Sequence, residues 1–158
     1  MPTLTFSQSN DTTSFSKLGD KYLSVLVGYN FWNNHFVELG LAYNQLNMQG
    51  HHAFGYHYFV SSEVKIDSDL VLGPKVGVWF GGGLGIGLNL IYYTDFDNSA
   101  LRFRPEIGIG LSRFKIVYGH NISLTNKDFE KINKSNIGLV LLFGIKKVKD
   151  RGNSTRPM

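Results

Sequence analysis

Leu84-Gly85-Ile86-Gly87-Leu88-Asn89-Leu90-Ile91-Tyr92 is the stretch from which the fold follows. In an extended chain successive side chains point to opposite faces. Leu84, Ile86, Leu88, Leu90 and Tyr92 then share one face, and Gly85, Gly87 and Asn89 share the other. A helical period of about 3.6 would mix the two sets, so the stretch reads as a strand. A solvated strand face usually carries Thr, Lys, Glu, Gln or Ser, because glycine weakens a strand and packs nothing. A glycine face belongs where side chains have no room.

The same two-residue period runs outward in both directions. Upstream of the Gly81-Gly82-Gly83 turn, Leu70, Leu72, Val76, Val78 and Phe80 oppose Gly73, Lys75, Gly77 and Trp79. Before the turn at Asp67 to Asp69, Phe54, Tyr56, Tyr58, Val60 and Val64 oppose Gly55, His57, Ser61, Glu63 and Lys65. Earlier still, Val37, Leu39, Leu41 and Tyr43 oppose Glu38, Gly40, Ala42 and Asn44, and Leu23, Val25, Val27, Tyr29 and Phe31 oppose Ser24, Gly28 and Asn30. Downstream, Leu101, Phe103, Ile107, Ile109 and Leu111 oppose Arg102, Arg104, Glu106, Gly108 and Gly110. Phe114, Ile116 and Tyr118 oppose Lys115, Val117, Gly119 and Asn121; Ile137, Leu139, Leu141, Phe143 and Ile145 oppose Gly138, Val140, Leu142 and Gly144. Leu26, Phe59 and Val71 break the pattern by falling on the polar side. Turn chemistry separates the segments, and no helical period competes.

The expected fold is all-β: an eight-stranded antiparallel up-and-down transmembrane β-barrel with a polar, Gly-rich interior and an apolar exterior. Residues 1–19 read as an N-terminal arm, 20–147 as the barrel and 148–158 as a basic C-terminal tail. A soluble lipocalin-like carrier would place the apolar face inside, but one small interior cannot hold so many bulky groups. The aromatics near segment ends (Phe31, Trp32, Tyr43, Phe54, Tyr56, Phe80, Tyr92, Phe114, Tyr118) suit girdles at two membrane interfaces.

Composition narrows the class further. The 158 residues contain no Cys, which excludes a disulfide scaffold, a thiolate metal site and a cysteine nucleophile. Charged residues make up 18%, the net charge is +4, and several positives sit near the C-terminus, so no nucleic-acid footprint is indicated. No apolar run reaches the length of a spanning helix. Residues 4–8 read either as the end of a secretory signal that starts upstream of Met1 or as part of a polar arm of a cytosolic protein.

Leu72-Gly73-Pro74-Lys75-Val76-Gly77, Tyr92-Tyr93-Thr94-Asp95-Phe96, Arg104-Pro105-Glu106-Ile107-Gly108 and Tyr118-Gly119-His120-Asn121 carry a family likeness. The chain resembles small outer-membrane β-barrel proteins of Gram-negative bacteria, of the OmpA/OmpX-type size class and the flavobacterial type. That resemblance implies an outer-membrane location, contact with outer-membrane lipid and lipopolysaccharide, and outer loops that meet a protein partner. It also implies a monomer without cofactors, nucleic acid or an open pore. The motifs describe strands rather than a reaction.

Glu38, Glu63, Lys75, Arg102, Arg104 and Glu106 form the candidate site, an interior charge network, with Lys65 and Lys115 on the same face. Buried charges persist only when paired. Lys75 and Glu106, at similar depth, are expected to form an interior charge relation across the fifth strand, with Glu38, Glu63, Arg102 and Arg104 nearer one mouth. The histidines His35, His51, His52, His57 and His120 show no ligand spacing and read as unpatterned. His120 with Ser123 and Asp128 or Glu130 has the residue types of a lipid A deacylase. Its three-residue spacing turns the serine to the opposite face, so no catalytic set is assigned. Gly81 to Gly87 lacks the Lys and Ser/Thr of a phosphate loop. Pro74 and Pro105 each remove a ladder donor and are read as bulges.

Overall fold

The computed structural model describes residues 20–49, 52–67, 69–111 and 113–148, and every strand lies within them. The proposed arm and nearly all of the tail fall outside the described residues, as does His51. Strand β1 is Asp20–Phe31, β2 is His35–Gln49 and β3 is His52–Lys65. Leu72–Thr94 is continuous in extended backbone but doubles back on itself. Residues 72–81 pair with β3 and residues 83–94 pair with the next strand, so the two arms are β4 and β5. Gly83 makes the reversal with φ +99°, a backbone region that L side chains rarely adopt. Strand β6 is Ser99–Leu111, and β7 is Phe114–His120 with a short continuation at Ile122–Ser123. Strand β8 is Ser135–Val148.

Each strand is antiparallel to its sequence neighbour, and β1 pairs with β8, which closes the ring. The result is an eight-stranded antiparallel barrel without a free edge. The two ends differ. The connections after β1, β3, β5 and β7 share one end, here the loop end, and the longest of them spans residues 124–134. The short turns and both chain ends of the barrel occupy the other, here the turn end.

Burial follows the two-residue period, inverted relative to a soluble protein. Leu39 and Val60 are 63% exposed and Leu84 is 75% exposed, whereas Glu63 is 0% exposed. Leu26, Phe59 and Val71, which break the sequence pattern, are inside and apolar, and they help to fill the lumen. Near the loop end Phe36, Val71, Ile91, Tyr93 and Ala100 pack with Phe129 and Ile132 of the long loop. Further down, Leu26, Ala42, Phe59, Val140 and Leu142 form a second apolar layer. The glycines make this filling possible. A Cβ on Gly77 would lie 2.1 Å from Asn89 Oδ1 and 2.5 Å from the Phe59 ring; one on Gly108 would lie 2.1 Å from the Ile116 carbonyl oxygen.

Two expectations need correction. The register runs without a shift through Ser62↔Pro74 and Leu88↔Pro105, so neither proline makes a bulge in those pairings. Pro105 instead lies where the β6–β7 ladder is interrupted, between Glu106↔Gly119 and Phe103↔Ile122, where a missing N–H costs no bond. A shift does occur between β1 and β8: Leu23 pairs with Lys146 and Ser24 with Gly144. Ile145 is therefore extra, and the alternation is lost from Gly144 to Val148, all exposed. Gly144 precedes the extra residue and pairs with the buried Ser24, so it keeps its inward parity; it is exposed because it lies at the open turn end.

Candidate functional site in the barrel interior

Among the described residues eight charged side chains are buried: Glu38, Glu63, Lys65, Lys75, Arg102, Arg104, Glu106 and Lys115. Their parity dictates this, since each shares a face with the glycines of its own strand. Glu63 on β3 is the hub. Arg104 of β6 grips its carboxylate with both nitrogens, Nη1 to Oε1 at 2.6 Å and Nη2 to Oε2 at 3.1 Å. Lys75 of β4 lies 3.0 Å from Glu63 Oε1 and 2.7 Å from Glu38 Oε2, and so bridges the two carboxylates.

Neutral groups complete the shell. Asn30 Nδ2 donates to Glu63 Oε1 at 3.1 Å and to Glu38 Oε2 at 3.3 Å; Ser61 donates to Glu38 Oε1 at 2.6 Å. The Tyr93 hydroxyl donates to Glu63 Oε2 and accepts from Arg104 Nη2. Arg104 Nε donates to Asn121 Oδ1 at 2.8 Å, and Asn136 on the neighbouring strand β8 donates to Asn30 Oδ1 at 3.2 Å. Charged hydrogen bonds of this kind are shorter and stronger than neutral ones, and desolvation makes every one of them necessary.

Lys75 and Glu106 are both buried inside the barrel, but their nearest ionic partners are other residues. Lys75 turns to Glu38 and Glu63, while Glu106 lies at the margin of the cluster, 3.9 Å from Arg104 Nη1. Strands 2, 3 and 4 are immediate neighbours, and Ser61↔Lys75 and Glu38↔Glu63 bring these side chains to one depth. Arg102 does not join the cluster either. Its guanidinium donates to the carbonyls of Asn126 at 3.1 Å and Phe129 at 3.3 Å, tying the long loop into the mouth. Lys115 sits with its ammonium over the rings of Trp79 at 4.6 Å and Phe59 at 4.9 Å, a cation–π seat lower in the lumen. The sequence reading passed over Tyr93, Asn30, Ser61, Asn121 and Asn136 as network members. Parity places each of them inside, but pairing across the lumen leaves no mark on parity.

Two other candidates come apart. His120 Nδ1 meets Ser135 Oγ at 3.0 Å on the outer face, and no hydrogen bond among the described residues joins it to Ser123, Asp128 or Glu130. Tyr118 also donates to Ser135, at 3.1 Å. His57 is interior, its Nδ1 2.6 Å from Asn44 Oδ1. Among the described residues no group of three or more metal-ligand side chains converges.

At the loop end a second, solvated tie links three connections. Lys131 of the long loop lies 2.8 Å from Asp95 and 3.9 Å from Asp69. The hydrogen bond from Lys131, then the backbone N–H of Asn98, holds the Asp95 carboxyl below its usual range. A depressed carboxylate stabilises above its unfolded pKa and loses that contribution as pH falls through the folded value. Pepsin cleavage of residues 124–134 should therefore stay constant from pH 5 to pH 4 and rise only below the ordinary Asp value of 3.8. Lys131→Gln should raise cleavage across that whole range.

No family model matches the chain, and no curated protein matches it. Among solved structures it is similar to Ail, the attachment invasion locus protein of Yersinia pestis. The identity is 12% over 80% of this chain and 96% of that chain, with a TM-score of 0.19. A superposition that poor says nothing further about role.

Proposed function

We propose that the chain is an integral outer-membrane β-barrel protein with a structural, adhesive or accessory role, closed to solute flow. One observation carries the reading: charges and glycines are inside while Leu, Ile, Val and Phe face out along every strand. Such an exterior is insoluble in water and matched to lipid tails. A lipocalin-like carrier needs an apolar interior, and a charged cluster centred on Glu63 is the opposite.

The Glu38–Lys75–Glu63–Arg104 cluster acts as a structural plug. It sits between the two apolar layers, where paired charges can close the lumen. Closure of the ring leaves no edge for strand addition, which favours a monomer. Even-stranded bacterial barrels keep both ends of the chain in the periplasm, so the loop end faces outward. The long loop, anchored by Arg102 and Lys131, then presents a defined surface to lipopolysaccharide or to a protein partner.

Fractionation tests the reading directly. The protein should remain with membranes through carbonate washing and leave only with detergent; recovery in the soluble fraction would defeat the proposal. A tag inserted beside Lys127 should be reached by antibody on intact cells, and one appended after Met158 should not.

A further inference from the structure

The β1–β8 shift has a consequence outside the barrel. On the outer face at the turn end lies a groove of about 610 Å³, bordered by β1, β7 and β8. Phe114, Leu141, Phe143 and Ile145 give it an apolar floor, continuous with the lipid-facing surface above. Arg113, Lys146 and Lys147 stand at its rim. The bulge creates this juxtaposition: because Ile145 is extra, Lys146 is not carried into the lumen and stays exposed beside Ile145. The Lys147 ammonium lies 5.8 Å from the centre of the Tyr22 ring, also on the rim.

Arg113 and Lys146 bring positive charge to the rim. Among the described residues the Arg113 and Lys146 side chains make no ion pair or hydrogen bond, unlike Lys131 at the loop end, which is held by Asp95 and Asp69. A guanidinium and ammonium groups just beyond an apolar strip match a ligand with fatty chains and one phosphate at the polar boundary. We infer that this groove is a binding site for an anionic glycerophospholipid of the periplasmic leaflet, acyl chains on Phe114, Phe143 and Ile145 and phosphate between Arg113 and Lys146. The inference rests on the membrane-barrel reading and gives that barrel a specific lipid partner.

The test uses the full chain folded in neutral detergent and presented with phosphatidylglycerol, with phosphatidylcholine of the same acyl chains, or with lipid A. Retained lipid is read by native mass spectrometry. Phosphatidylglycerol should be held about tenfold more tightly than phosphatidylcholine. Arg113→Gln with Lys146→Gln should remove that preference, and Arg113→Lys with Lys146→Arg should keep most of it. Lys127→Gln with Lys134→Gln, at the far end, should leave it intact. Heat-dependent gel mobility reports whether each variant is folded, and the charge-preserving pair reads the site if the neutral pair does not fold. Equal retention of the two phospholipids, an undiminished preference in the folded neutral pair, or tighter capture of lipid A through the same residues would overturn the site alone. A protein soluble without detergent would overturn the barrel reading as well.

Discussion

Glu63→Gln should destabilise the folded barrel by about 3–5 kcal/mol, the range for a buried ion pair that loses one partner. The substitution keeps the side-chain shape and removes only the charge. Arg104 would then retain Glu106 at 3.9 Å as its nearest carboxylate, and Lys75 would retain Glu38 alone. Two cations would share a buried layer with too little negative charge. The Tyr93 hydroxyl would lose its carboxylate acceptor while still receiving Arg104. Urea unfolding in lipid vesicles, followed by gel mobility, measures the loss. Glu130→Gln, on the exposed long loop, serves as the comparison and should change stability by no more than about 0.5 kcal/mol. Equal shifts for the two variants would show that the central cluster contributes nothing to holding the barrel shut.

The strands themselves were legible, and for a simple reason. A barrel only eight strands round imposes its period on every strand, because inward positions meet a crowded lumen and outward ones do not. Gly85, Gly87 and Asn89 against Leu84, Ile86, Leu88 and Leu90 state that rule in one short segment, and the structure buries them accordingly. Parity says which face a residue occupies, and nothing about how far down the axis it lies. Depth depends on strand tilt and stagger, and these arise from the pairing of all strands together. That is why parity put Lys75 and Glu106 on one interior face without showing that the direct ion pairs of Lys75 are with Glu38 and Glu63. The bulge opposite Leu23 and Ser24 was hidden for a related reason. No proline or turn residue marks it, and a single extra residue reverses every later parity, so Lys146 lies beside the outward Leu23 and not on the inward side that counting from Leu142 gives. Pro74 and Pro105 misled in the opposite sense, since a ladder gap tolerates proline as well as a bulge does.

Gly108→Ala and Gly144→Ala, one methyl group each in the same kind of strand, should differ sharply. At Gly108 the new Cβ would lie 2.1 Å from the Ile116 carbonyl oxygen and 2.8 Å from Val117 Cα, both backbone atoms of β7. No rotamer relieves a backbone clash, so β6 and β7 must separate. The β6–β7 ladder from Glu106↔Gly119 to Leu111↔Phe114 would loosen with them. Overpacking of a filled interior typically costs about 1–3 kcal/mol, and a rigid neighbour puts this case at or above the upper end. At Gly144 nothing lies within 4 Å of the added Cβ, because the position lies at the open turn end of the barrel. There the methyl group mainly restricts the unfolded chain, which is neutral or stabilises by a few tenths of a kcal/mol, up to about 1. Ile109→Val, beside Gly108 but facing outward, should be equally mild. Folding yield in detergent, read from the heat-modified fraction, ranks the three variants. If Gly108→Ala folded as well as Ile109→Val, the close approach of β6 to β7 would be wrong, and with it the reason the inner face is built of glycine.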